Sequence, residues 1–172
     1  CKKQNIQIIY VKSGDEIRIK DLAFKILHPK SKENQISENP LNNNAIVCMV
    51  KYKNRRILFT GDIEKVAENE MVKEYTNGLK ADILKVGHHG SKTSTTKEFL
   101  DLINPSVALI GVGQNNKFGH PNEDVIKRLE EKNIQIYRTD EMGEISVIID
   151  KNGKIKINTH IWIKCILLNF KL

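Results

Sequence analysis

The chain has only three cysteines, Cys1, Cys48 and Cys165, far apart and odd in number. None stands in a CxxC pair, which argues against a zinc knuckle and against a disulfide framework. No run reaches the roughly 18 apolar residues of a membrane span. No stretch has the layout of a secretory signal peptide. There is also no internal repeat and no low-complexity linker to divide the chain. One domain, or most of one, is therefore expected, and 172 residues suffice to bury a core. Starting at Cys1 rather than Met, the chain reads as either processed or cut from something longer, and the motifs below favour a cut.

What is present is the composition of a globular protein, 40% hydrophobic and 28% charged. A net charge of +7 permits an anionic partner, nucleic acid or an anionic membrane surface, although lysine is frequent throughout. Glu16–Ile19 and Leu22–Leu27 alternate as a hairpin or meander that ends at His28-Pro29. Lys30–Asn44 is polar and reads as an exposed loop. Ala45–Tyr52 and Arg56–Thr60 form a second hairpin, and Ile63–Tyr75 has apolar residues at helical spacing. Asp82–Val86 and Pro105–Val112 read as buried strands. Between them, Thr95 and Glu98 make a capping box that opens a helix to about Ile103. Asn122–Lys132 is an amphipathic helix, and Gln135–Thr139 and Glu144–Ile149 close as strands around a turn at Asp140–Gly143. Residues 1–158 are assigned to the domain, and Thr159–Leu172 is left as an apolar tail without an evident partner. Strands alternating with helices between terminal hairpins predict an α/β layered fold with mixed sheets.

The residues suited to chemistry fall in three neighbouring connections. Thr60-Gly61-Asp62 follows an apolar strand, so that glycine allows a sharp turn and the carboxylate projects at the sheet edge. A carboxylate there can bridge two divalent cations; as a purely structural residue, Asp62 would instead cap the following helix. His88-His89-Gly90-Ser91 follows the next strand, and neutral imidazole is the usual nitrogen ligand of borderline metals. Adjacent residues diverge, so one of His88 and His89 is expected to ligate while the other orients substrate or the surrounding shell. Gly119-His120-Pro121 follows the third strand, and His120 suits a ligand, a general acid or a phosphate contact. Asn44, before the second hairpin, is a further candidate. In layered α/β folds such groups collect at strand ends.

With these residues assembled, the sequence resembles the metallo-β-lactamase superfamily, and more closely the C-terminal metallo-hydrolase domain of the ComEC/Rec2 competence proteins. The likeness runs through Asn42–Ala45, Leu58–Asp62, Leu79–Ser91, Asn115–Pro121 and Tyr137–Asp140, about 100 residues in family order. It implies an αββα sandwich, here the C-terminal part of one, with two divalent metal ions, zinc or manganese. Asp62 would match the bridging aspartate and His88 or His89 the late histidine ligand. Asn44 falls where many members place a histidine; this branch typically has asparagine there, usually in an Asn-x-x-Ser pattern whose serine Ala45 replaces here. The N-terminal signature His-x-His-x-Asp-His is absent from the 172 residues, so further ligands are expected upstream.

The implied activity is metal-assisted hydrolysis of a DNA phosphodiester. Asp62, His88 and His89 would hold metal, and His120, His89 and Asn44 would serve catalysis. Ser91, Lys92 and Lys117 would contact substrate, with Lys85 and Lys97 as further cations. DNA is the expected partner, with a membrane-embedded domain upstream in the parent protein and no obligate protein partner. Placement would be on the extracytoplasmic side of the cell envelope. The competing expectations are a free-standing hydrolase of a small phosphodiester, ester or lactone, and a truncated, non-catalytic fragment.

Overall fold

The computed structural model describes residues 6–161, apart from residue 77. Seven strands form one sheet in chain order: β1 (Glu16–Ile19), β2 (Leu22–His28), β3 (Val47–Tyr52), β4 (Arg55–Phe59), β5 (Ile83–Lys85), β6 (Val107–Ile110) and β7 (Gln135–Arg138). The first four make an antiparallel meander, joined by short turns except between β2 and β3, where a long loop carries the one-turn helix α1 (Pro40–Asn43). From β4 to β7 neighbours run parallel. Parallel neighbours cannot be joined by tight turns and need crossovers. These are α2 (Lys65–Glu74), α3 (Lys97–Ile103) and α4 (Glu123–Glu131). Right-handed crossovers that step one way across a sheet put all three helices on the same face.

The core lies between those helices and that face. Met49, Leu58, Leu84 and Ala108 stand side by side in register across β3 to β6. They pack with Met71 of α2, Phe99, Leu100 and Ile103 of α3, and Val125 and Leu129 of α4. The opposite face carries Ile57, Ile83 and Val107 in the alternate register. A separate antiparallel hairpin of β8 (Glu144–Ile149) and β9 (Ile155–His160) lies against it. Val147 and Ile149 of the hairpin border a cavity of about 280 Å³ with Leu22, Val50, Tyr52 and Ile57. The α/β class with a mixed sheet flanked by helices is as expected.

Several local expectations are corrected. β7 and β8 do not pair: the one-turn helix α5 (Thr139–Met142) separates them, and β8 takes β9 as its partner instead. Thr159 and His160 therefore belong to β9, opposite Ile145 and Glu144, so the hairpin crosses the 158/159 boundary. Residues 162–172 of the proposed tail lie outside the described ones. The helix expected from Ile63 begins at Lys65, with Glu64 rather than Asp62 in the cap position. The capping box is displaced by one: Thr96, not Thr95, caps α3 and accepts from the Phe99 amide at 3.4 Å.

Thr95 is displaced because something else claims its amide. The Glu68 carboxylate, on α2 and almost fully buried, accepts from the amides of Thr95 and Thr96. Arg128 of α4 closes the other side, donating to the carbonyls of Thr95 and Ser94. Three helices are thus tied together under the loop that follows the histidines. Burial is the largest influence on Glu68 and, against its hydrogen bonds, holds its pKa above the usual carboxylate value. The folded state then binds the proton more tightly than the unfolded chain. Stability from this group is present at low pH and lost as pH rises through the raised value. Glu68→Ala should lower unfolding free energy by roughly 2–3 kcal/mol through two stranded amides. Urea titrations across pH should also find that the loss of stability on raising pH is flattened in Glu68→Gln.

Candidate metal centre

Three adjacent parallel strands, β4, β5 and β6, release their chains at the same sheet edge. Asp62 leaves β4, the histidine pair leaves β5, and the loop to His120 leaves β6. The loops are stitched to one another by hydrogen bonds. Thr60 Oγ1 donates to the Lys85 carbonyl at 2.7 Å, and the His88 amide donates to the Gly61 carbonyl at 3.1 Å. The Asn122 amide, at the start of α4, donates to the Gly90 carbonyl at 2.8 Å. Two glycines are required here. Gly61 has φ +55° and a Cβ would lie 3.0 Å from the Ala45 Cβ. Gly90 has φ +81° and a Cβ would lie 2.7 Å from the Pro121 Cβ.

The histidines do not continue the strand. β5 stops at Lys85, and Gly87–Gly90 forms a 3-10 turn in which His88 and His89 both have positive φ, 45° and 56°. The two rings stand edge to face, with centroids 6.4 Å apart at 61°. His89 Nε2 stands 3.8 Å from Asp62 Oδ1, and both side chains are about half exposed. On its other edge His89 Nδ1 lies 2.6 Å from the Gly111 carbonyl, a contact it can make only as donor. This fixes the tautomer and leaves the Nε2 lone pair facing Asp62. Two donors ~2.1 Å from one tetrahedral ion lie ~3.4 Å apart. The Asp62–His89 pair therefore fits a divalent cation as two of its ligands. Among the described residues, no three His, Cys, Asp or Glu side chains converge to hold one.

His88 turns the other way. Its Nδ1 lies 3.2 Å from Glu64 Oε1, off-line for a hydrogen bond and otherwise without a partner. Glu64 is itself held from three sides. Asn39 Nδ2 donates to it at 2.8 Å, Thr93 Oγ1 at 2.9 Å, and its amide donates to Asn43 Oδ1 at 3.0 Å. Burial raises its pKa, but the hydrogen bonds from Asn39 and Thr93 and the neighbouring His88 outweigh this and bring it below the usual value. The anchored carboxylate thus faces one edge of His88, while the His120 ring stands 5.7 Å from His88. His120 has a lowered pKa, through burial first and then the nearby His88 and His89.

Glu64 is the residue that sequence reasoning passed over. Its only sign was an acid two positions after Asp62, in the cap position of α2 yet with no capping hydrogen bond of its own. Asn44, expected in catalysis, is corrected. Its Oδ1 accepts from the Ile36 amide at 2.9 Å, and its Nδ2 donates to the carbonyls of Ile36 and Pro40, so the amide is used up in pinning its own loop. Ser91 is likewise buried, with its hydroxyl against Thr93 Oγ1 at 3.0 Å, and is not a surface contact. Lys85 is turned inward. Its Nζ donates to the Val86 carbonyl at 2.9 Å, and burial lowers its pKa against the opposing pull of Asp62. Lys92, Lys97 and Lys117 are exposed.

Residues 40–114 match the family model of the metallo-beta-lactamase superfamily. The chain is 38% identical over 145 residues to ComE operon protein 3 of Bacillus subtilis, covering 84% of this chain and 18% of that protein. It is 34% identical over 135 residues to Recombination protein 2 of Haemophilus influenzae, covering 78% and 16%, respectively. With competence protein ComA of Neisseria gonorrhoeae the figures are 32% over 130 residues, 76% and 18%. The chain therefore spans less than a fifth of the length of these relatives. Among solved structures, a putative metal-dependent hydrolase from Parabacteroides distasonis shares the fold, with TM-score 0.53 over 81% of this chain and 60% of that one at 16% identity.

The geometry separates ligands from bystanders by experiment. Chelator competition with manganese or zinc should find affinity lowered about tenfold or more in Asp62→Ala and His89→Ala. Glu64→Ala should weaken it less, and Asn44→Ala should leave it unchanged while lowering stability by about 1–3 kcal/mol.

Proposed function

For a chain that belongs to the metallo-β-lactamase superfamily, beside the ComEC/Rec2 competence proteins, we propose that this segment supplies one side of the metal centre of a DNA phosphodiesterase. A hydrolase of that superfamily's general kind is the coarse reading, and cleavage of DNA is the finer one. The observation that carries it is the Asp62–His89 pair at 3.8 Å, with the His89 tautomer fixed by Gly111. Asp62 and His89 would hold the metal, which when bound supplies a water of near-neutral pKa and a Lewis acid for the phosphoryl oxygen. His88, faced by Glu64, would orient the substrate or complete the ligand shell. His120 would stabilise charge on the departing oxygen or, once protonated, pass it a proton, and its lowered pKa makes the imidazolium the stronger acid.

Exposed Lys92 and Lys117 and the net charge of +7 favour a polyanionic substrate over a neutral ester or lactone. A membrane-associated parent and an extracytoplasmic position are part of this proposal, drawn from the likeness to competence proteins; no described helix is long and apolar enough to cross a membrane. A second reading has a specific observation behind it. With two donors rather than three or more among the described residues, the remaining ligands would come from another segment, and this chain alone would hold metal weakly.

The test compares turnover of a single-stranded oligonucleotide, bis(p-nitrophenyl) phosphate and a lactone, with manganese or zinc, by the chain alone and by the longer protein. The longer protein should cleave the oligonucleotide, and Asp62→Ala and His89→Ala should each lower kcat at least 100-fold. Faster lactone turnover, or full activity in Asp62→Ala, overturns the assignment.

A further inference from the structure

The loop between β6 and α4 ends in an aromatic side chain that the fold leaves uncovered. Phe118 is 81% exposed, two residues before His120. This one is not tucked away, and its loop is hydrogen-bonded to itself. Asn116 staples the loop with its side-chain amide: Oδ1 accepts from the amides of Phe118 at 3.2 Å and His120 at 3.0 Å, and Nδ2 donates to the carbonyls of His120 and Gly113. The Phe118 ring lies nearly parallel to the His120 imidazole, 21° between planes and 5.9 Å between centroids. His120 in turn stands 5.7 Å from His88. A row of rings thus runs from solvent to the histidine pair, with exposed Lys117 beside its outer end.

We infer that Phe118 is a stacking platform for an unpaired nucleobase, holding a single strand with its phosphate at the Asp62–His89 pair. This rests on the phosphodiesterase reading above and adds to it the form of nucleic acid preferred. A fixed exposed ring with a flanking cation is the way proteins grip single strands, since every base offers a π-face while the cation follows the backbone. In a duplex those faces are already stacked, so a base must be unpaired to reach the ring. Preorganisation by Asn116 means that little further order is lost on binding.

The experiment measures fluorescence anisotropy of labelled oligo(dT) and of an abasic oligomer of equal length and charge, with EDTA present so that neither is cut. The chain should bind oligo(dT) more tightly than the abasic strand. Phe118→Ala should weaken oligo(dT) binding roughly 5- to 100-fold and leave abasic binding as it was, and Phe118→Trp should restore the preference. Equal binding of the two strands by the unaltered chain overturns the inference. So does equal weakening of both by Phe118→Ala, as expected if the ring packs against another part of the polypeptide. If the longer protein cleaves oligonucleotides and the strands bind equally, only the stacking role falls; if it neither binds nor cleaves them, the phosphodiesterase reading falls with it.

Discussion

Three parallel strands that stop together, and whose outgoing loops are hydrogen-bonded to one another, are the constraint on which the rest depends. Asp62, the histidine pair and His120 are up to 58 residues apart in sequence. Parallel pairing of β4, β5 and β6 removes that distance by ending all three strands on one edge. The bonds from Thr60 to Lys85, from His88 to Gly61 and from His89 to Gly111 then fix the loops relative to each other. Because each bond joins two different connections, no loop can shift without disturbing its neighbour.

Behind that edge the fold spends charged and polar side chains on the loops themselves. Glu68 and Arg128 hold the segment after the histidines from below. Asn43 and Asn44, adjacent in sequence, divide the work: Asn44 closes its own loop, while Asn43 reaches across to the Glu64 amide. Asn39 and Thr93 then hold the Glu64 carboxylate in place. The acid that faces His88 is thus positioned by residues from two separate loops, a support that a bare list of ligands would omit.

Much of this was legible in the sequence, for a physical reason. Apolar runs such as Ile57-Leu58-Phe59 and Ile83-Leu84 mark buried strands, and a strand followed by glycine and a polar residue marks an edge where chemistry can sit. What was not legible depended on partners distant in sequence. Thr95 and Thr96 are equally good caps by local rules, and only Glu68 decides between them. Glu144–Ile149 has a strand pattern whether it pairs with β7 or β9, and the intervening turn of helix settles the matter. Glu64 was passed over, and Asn44 pins its own loop, because side-chain hydrogen bonding is a property of the assembled loops, invisible to spacing.

The turn that carries the histidines has an implication for anyone reshaping this protein. Two successive residues with branched, bulky rings occupy the left-handed region that glycine and asparagine fill at least strain. Each therefore works against the backbone by roughly 1 kcal/mol. A directed-evolution campaign rewarding heat tolerance alone would drift toward glycine or asparagine at both positions. It would arrive at a sturdier scaffold without the imidazoles that face Asp62 and Glu64.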